Sequence, residues 1–62
     1  MRIHIEDMHC DGCVKGVTHA IRTLDDSAKI EAHLDTRDVD VDTNIARDQI
    51  DAALIKAGFT PS

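Results

Sequence analysis

Two cysteines carry the clearest chemistry in this sequence. Cys10 and Cys13 stand in the segment MHCDGC, residues 8–13, directly before an amphipathic helical pattern. The beginning of a helix offers unpaired N–H groups and the positive end of the helix dipole, and both favour a thiolate over a thiol. Two thiolates at this spacing can close on one soft metal ion. The rest of the chain is predicted to be the scaffold that positions them.

The number of ligands favours monovalent copper at Cys10 and Cys13. Cu(I) is soft and accepts two thiolates, whereas Zn(II) prefers four ligands and would need more donors from water, histidine or a partner. Hg(II) shares the preference for two thiolates, and Zn(II), Cd(II) and Ag(I) are further alternatives. Because a site with two ligands is incomplete, a thiolate of another protein can enter it. The ion can then pass to that protein without being free.

Length and composition exclude several classes of protein. The chain has 62 residues, a net charge of −5, one Phe and no Trp or Tyr. We expect a single domain over residues 1–62. The negative charge disfavours binding to nucleic acid or to an anionic membrane, and the scarcity of aromatic rings excludes a base-stacking surface. No run approaches the roughly 18 apolar residues of a membrane span, and residues 1–6 lack the apolar core of a secretory signal.

These absences lead us to expect a cytoplasmic protein, where cysteines stay reduced. A bond between two cysteines so close in sequence would close too short a loop to be an effective structural staple. Metal binding and redox cycling are therefore the two chemistries to weigh.

The hydrophobic period alternates between 2 and 3.6 along the chain and predicts the elements around the cysteines. A first strand is predicted over 2–6 and a helix over about 12–24, with Leu24 at the end of its apolar face. Two more strands, 28–34 and 38–42, are joined by a hairpin turn at 35–37. A second helix follows over about 46–57.

Gly58 is placed at the C′ position of the second helix, and Phe59 can start a very short closing strand before Pro61. The order βαββαβ predicts two helices on one face of an antiparallel sheet. The other face is expected to be solvated and to carry His4, Lys29, Glu31, His33, Asp38, Asp40 and Asp42.

The segment 8–13 matches the M-x-C-x-x-C loop of the heavy-metal-associated domain, which the chain resembles over essentially its whole length. The apolar residues of the first helix, the Val39–Val41 strand and the element Ala57-Gly58-Phe59 fall where that family has its counterparts. The resemblance implies an α+β, ferredoxin-like βαββαβ sandwich with a four-stranded antiparallel sheet and two helices on one face.

The same resemblance implies a metal-binding and delivery module rather than an enzyme, with Cys10 and Cys13 as ligands. Copper chaperones and the N-terminal modules of copper-transporting P-type ATPases have this loop, so the acceptor would be such an ATPase or another protein with a cysteine pair. Phe59 is typical of the ATPase modules, while a chain of 62 residues beginning with Met1 is typical of a stand-alone chaperone. A monomer is expected, which copper could bridge into a dimer.

Other residues near the loop have competing interpretations. Met8 offers a thioether, but in the family pattern it points inward as a core plug. His9 offers an imidazole at a position that usually lies outside the ligand set. Asp11 would raise the thiol pKa slightly or simply favour the helix dipole. Gly12 either allows unusual backbone angles and a close partner, or only begins the helix.

The remaining candidate ligands are assigned to the surface. His4, His19 and His33 are scattered over strand and helix faces, and no pair has a helical i, i+4 spacing. The run Asp38, Asp40, Asp42 resembles the beginning of a calcium loop, but Thr43 and Gln49 stand where that motif needs Gly and Glu. Alternation with valines explains the run as a strand.

Two other functions stay open at this point. A thiol–disulfide oxidoreductase also uses a C-x-x-C pair, although the residue before the first cysteine is His9 rather than an aromatic residue. A regulatory domain of a larger transporter, in which metal occupancy changes a surface, would have the same loop.

Overall fold

Three strands and two helices make up the computed structural model, which describes residues 1–62. In chain order they are β1 (Arg2–His4), α1 (Asp11–Leu24), β2 (Lys29–His33), β3 (Asp38–Asp42) and α2 (Arg47–Lys56). The strands form one antiparallel sheet in the order β1-β3-β2, with β3 in the centre. The predicted α+β class is confirmed, and both helices lie within two residues of their predicted bounds.

One face of the sheet and both helices share a single apolar core. Period 2 places alternate strand residues on that face, and period 3.6 places one side of each helix against it. No polar residue is buried. The eleven buried residues are Ile3, Ile5, Met8, Val17, Ala20, Ile21, Ala28, Val39, Val41, Ile50 and Leu54.

Leu24 departs from the predicted core face of α1. It is 41% exposed because, as the last residue of α1, it reaches the rim of a groove between α1 and α2 instead of the sheet. The residue that follows is the C-cap Asp25, whose carboxylate accepts hydrogen bonds from the backbone N–H and hydroxyl of Ser27 and from the hydroxyl of Thr43.

The sheet has three strands rather than the predicted four. After α2, only Pro61 pairs with the first strand region, through an isolated bridge to Ile5. Two backbone hydrogen bonds between His4 and Ser62, with N···O distances of 3.2 and 2.8 Å, support this bridge. On the other side of the bridge, the N–H of Thr60 donates to the carboxylate of Asp7 at 3.0 Å instead of to the strand, so the pairing does not extend into a ladder.

The turn after α2 directs the chain back over α1. Gly58 has a φ of 98°, which confirms the predicted C′ glycine. Its N–H donates to the carbonyl of Ile55 at 3.0 Å, and the N–H of Phe59 donates to the carbonyl of Leu54 at 2.9 Å. This pair of bonds is the Schellman motif, which satisfies the last carbonyls of the helix. It fixes the direction in which Phe59 leaves α2.

The face of the sheet opposite the helices is open to solvent, as predicted, and we call it the open face. Its side chains form two cross-strand rows: Arg2, Asp40 and Glu31 lie side by side, and so do His4, Asp38 and His33. Asp42 lies opposite Lys29 further along. The hairpin turn covers 34–37, one residue longer than predicted, and ends at Arg37 with a φ of 61°.

Candidate metal centre

The loop between β1 and α1 is fixed at both of its ends. Met8 is fully buried in the core, and its N–H donates to the carbonyl of Ile5 at 3.1 Å. The prediction that Met8 packs inward is therefore confirmed. At the other end, Cys10 is the N-cap of α1, with extended backbone angles of φ −152° and ψ 165°.

Capping brings the two sulfur atoms together. Sγ of Cys10 accepts a hydrogen bond from the backbone N–H of Cys13 at 3.4 Å, in place of the oxygen that usually caps a helix. The side chain of Cys13 projects from the same first turn, so the two Sγ atoms lie 3.0 Å apart. Both cysteines are free thiols, Cys10 exposed and Cys13 half-buried.

This arrangement stabilises negative charge on Cys10. The hydrogen bond from the Cys13 thiol is the largest cause that lowers the Cys10 pKa, followed by the N–H groups of Cys13 and Gly12. Burial and the charge of Asp11 act in the opposite direction but do not reverse the shift. The geometry therefore places one thiol of lowered pKa and a second sulfur in contact with it at an exposed corner of the molecule.

Gly12 takes the simpler of its two predicted backbone roles, and the role of His9 stays a prediction. Gly12 lies in the first turn of α1 without a positive φ, so it begins the helix and needs no unusual conformation. A Cβ added there would lie 3.9 Å from Sγ of Cys10, which is an ordinary contact. His9 is exposed, as is Asp11.

Two contacts connect the C-terminal segment to the cysteine loop and α1. The carboxylate of Asp7 accepts a hydrogen bond from the N–H of Thr60 at 3.0 Å. The ring of Phe59 lies against Gly16, one helical turn after Cys13, where an added Cβ would stand 3.1 Å from Cζ of the ring. The segment after α2 thus contacts the cysteine loop through Thr60 and α1 through Phe59.

His4 and His33 lie on the open face, where they do more than the predicted surface role. His4 hydrogen bonds to Glu6 through Nε2 at 2.6 Å and to Asp38 through Nδ1 at 2.9 Å. His33 Nε2 lies 3.1 Å from Oδ2 of Asp40. His19 is exposed on α1, as predicted.

Arginines complete this network of charges. Arg2 pairs with Asp40 at 2.9 Å, and Arg37 pairs with Glu6 at 2.8 Å. The hydrogen bond from Arg2 is the main reason that the pKa of Asp40 falls to about 2. Sequence reasoning missed these partners because they depend on strand register, although the shared face of the residues was visible in their period of 2.

Asp38, Asp40 and Asp42 lie within β3. The strand explanation of their spacing is therefore confirmed, and the three carboxylates do not share a loop.

No helix in the structure has the length and apolar character needed to cross a bilayer.

Comparison with known proteins identifies the family and the fold. The model of the heavy-metal-associated domain matches residues 2–60. A gold binding protein of known crystal structure is 49% identical, over 98% of this chain and 94% of its own, with a TM-score of 0.94. The copper chaperone Atx1 from Synechocystis PCC6803 is 21% identical, over 100% and 98% of the two chains, with a TM-score of 0.97.

The N-terminal domain of ZntA, solved in its Zn(II) form, is 29% identical over 98% of this chain and 85% of its own, with a TM-score of 0.85. No curated protein matches the chain with significance.

Proposed function

Because the chain belongs to the heavy-metal-associated domain family, we propose that it binds a soft metal ion, Cu(I), through the thiolates of Cys10 and Cys13. We further propose that it delivers this ion to a partner protein by ligand exchange. The observation that supports the proposal is the convergence of two free sulfur atoms, 3.0 Å apart, at an exposed helix N-terminus.

The loop has to open to bind an ion with two ligands. With metal–thiolate bonds of about 2.3 Å, two sulfur atoms on opposite sides of an ion stand about 4.6 Å from each other. The sulfurs must therefore separate when the ion enters. Exposed Cys10 can turn outward while Cys13, half-buried and within the helix, stays in place. One mobile ligand and one fixed ligand also leave room for an incoming third thiolate.

The acceptor in this proposal is a metal-transporting P-type ATPase or another protein with a cysteine pair, in the reducing cytoplasm. The net charge of −5 favours a partner with a basic docking surface. Added salt screens such an attraction and should slow the transfer. A transfer rate that does not change with salt would contradict this part of the proposal.

A second candidate ion is Au(I), and the 49% identity with a gold binding protein favours it. Au(I), like Cu(I), is a soft ion that thiolates bind well in a linear arrangement. The two candidates share the same ligands and differ only in selectivity, which a competition between Cu(I) and Au(I) for one equivalent of protein decides.

The decisive experiment is an anaerobic titration of the reduced protein with Cu(I) in competition with a chromophoric chelator. We expect one tight equivalent, lost in Cys10→Ser and in Cys13→Ser and retained in the control His9→Ala. Zn(II) affinity equal to or higher than Cu(I) affinity would overturn the assignment. Rapid reduction of insulin disulfides by the dithiol would instead support the oxidoreductase alternative.

A further inference from the structure

We propose a second metal site on the open face of the sheet, formed by Glu31, His33 and Asp40 and suited to Zn(II). It lies on the side of the sheet opposite the helices and uses none of the cysteine chemistry. The proposal is therefore independent of the function assigned to Cys10 and Cys13.

The backbone places the three donors together. Glu31 and His33 are two residues apart on β2, so their side chains project from the same face. Asp40 lies on the neighbouring strand, directly opposite Glu31. One donor atom from each of the three residues lies within 4.8 Å of the other two.

The spacing of His33 and Asp40 is close to that of two zinc ligands, and Glu31 lies within 4.8 Å of both. With Zn–N and Zn–O bonds of about 2.0–2.2 Å, two ligands of a tetrahedral ion lie about 3.4 Å apart. Nε2 of His33 and Oδ2 of Asp40 already lie 3.1 Å apart, joined by a hydrogen bond. The proton that joins them can move from Nε2 to Nδ1 of the neutral imidazole. An ion can then take its place between Nε2 and Oδ2. Glu31 then supplies a third ligand, and water a fourth.

The neighbouring carboxylates favour a divalent cation, while the positive charge of Arg2 opposes it. Glu31 is exposed and takes no part in the ion pairs of the open face, so its carboxylate is available. Arg2 donates to both oxygens of Asp40, from Nε to Oδ1 at 2.9 Å and from Nη2 to Oδ2 at 3.2 Å. These contacts orient the carboxylate, as second partners of metal ligands commonly do, and on Oδ2 the ion would replace the hydrogen bond to His33. Asp38 and Asp42, on the same strand and face, add negative potential.

The donor types separate the two sites by metal. Imidazole and carboxylate ligands suit Zn(II), whereas the two sulfurs of the loop suit Cu(I) or Au(I). The same small domain can thus hold a soft ion at the loop and Zn(II) on the open face at the same time.

The test is a titration of the Cys10→Ser/Cys13→Ser double variant with Zn(II), because this variant lacks the sulfur ligands. Calorimetry should show one saturable equivalent, and the NMR signals of the His33 ring should shift while those of His19 do not. In the same background, His33→Ala and Glu31→Gln should each weaken binding by about tenfold or more. His19→Ala and Asp42→Asn are matched controls: the first should keep the affinity, and the second, which removes only negative potential, should lower it far less than Glu31→Gln does.

Several results would overturn the site. One is the absence of saturable binding at millimolar Zn(II), and another is unchanged affinity in His33→Ala. An equal loss in Asp42→Asn and Glu31→Gln would show diffuse attraction to an acidic face rather than ligation. Amide spectra of each variant verify its fold, since all four substituted side chains are exposed or half-buried. Cu(I) binding by the wild-type protein is measured separately, so either proposal can fail alone.

Discussion

Phe59 packs so closely on Gly16 that a methyl group at position 16 would lie 3.1 Å from the ring. This contact opposes the helix propensity that alanine would otherwise add to α1. In Gly16→Ala we therefore expect the close contact with the ring to offset the stabilisation that the higher helix propensity of alanine would give. In the Phe59→Leu background, where the ring is gone, the same substitution should stabilise the protein by up to about 1 kcal/mol.

Urea unfolding of the wild type, the two single variants and the double variant measures this coupling. If Gly16→Ala changes stability equally in both backgrounds, the ring does not press on α1 and the contact has no energetic role.

Gly58 should tolerate substitution less well than Gly12. Its φ of 98° strains any residue with a Cβ, so Gly58→Ala should lower the free energy of unfolding by about 1–2 kcal/mol. Gly12→Ala is the control, because Gly12 is helical and its added Cβ makes only an ordinary contact. A Gly12 variant that loses as much stability as the Gly58 variant would contradict this explanation.

Cys10 should be replaceable by serine with little loss of stability, but not by alanine. Serine can accept the hydrogen bond from the Cys13 N–H, whereas alanine leaves that N–H without its cap. Thermal unfolding should therefore rank Cys10→Ser above Cys10→Ala. The same two substitutions at Cys13, which caps nothing, should show no such preference for the hydroxyl. The opposite ranking at position 10 would mean that the capping bond is unimportant.

His4 makes stability depend on pH near neutrality. Hydrogen bonds to Glu6 and then Asp38 raise its pKa above 6.5 in the folded protein. The stabilisation is therefore complete below pH 6.5 and is lost as the pH rises through the folded pKa. Denaturation at a series of pH values should show this decline, and His4→Gln should remove it. His19→Gln is the control and should leave the profile unchanged.

Asp40 acts at the acidic end of the range. Its pKa falls from 3.8 to about 2, so its stabilisation is present above pH 3.8 and is lost as the pH falls through 2. Asp40→Asn should flatten the part of the acid-unfolding curve between these values. Asp42→Asn, on the same strand and face, should change that part less. Equal effects of the two variants would show that Arg2 does not selectively lower the pKa of Asp40.

Much of this fold follows from local sequence patterns. Apolar spacing predicts α1 and α2 to within two residues, and the alternation of Asp and Val predicts β3 with its observed ends. Gly58 could be predicted as a helix terminator because few residues but glycine adopt its conformation. These elements depend on neighbours in sequence, so sequence alone contains the necessary information.

The remaining features depend on residues distant in sequence. Pairing of Arg2 with Asp40 and of His33 with Asp40 requires the strand order and register, and the hairpin turn was expected to be one residue shorter than it is. The fourth strand was expected from apolar Phe59, but the segment makes one bridge, because the N–H of Thr60 donates to the side chain of Asp7 instead of to the strand. At the candidate site the cysteines were visible in the sequence, whereas the capping role of Cys10 needed the loop's backbone angles.

The cap at the start of α1 also bears on how cargo would leave. Once an ion departs, Sγ of Cys10 can again accept the N–H of Cys13, so an internal bond replaces the lost metal bond. The empty loop is thereby held by its own hydrogen bond, and the Cys10 side chain has to turn outward again before the next ion is captured. In the proposed role, the protein could therefore alternate between metal-bound and metal-free forms without refolding the cysteine loop.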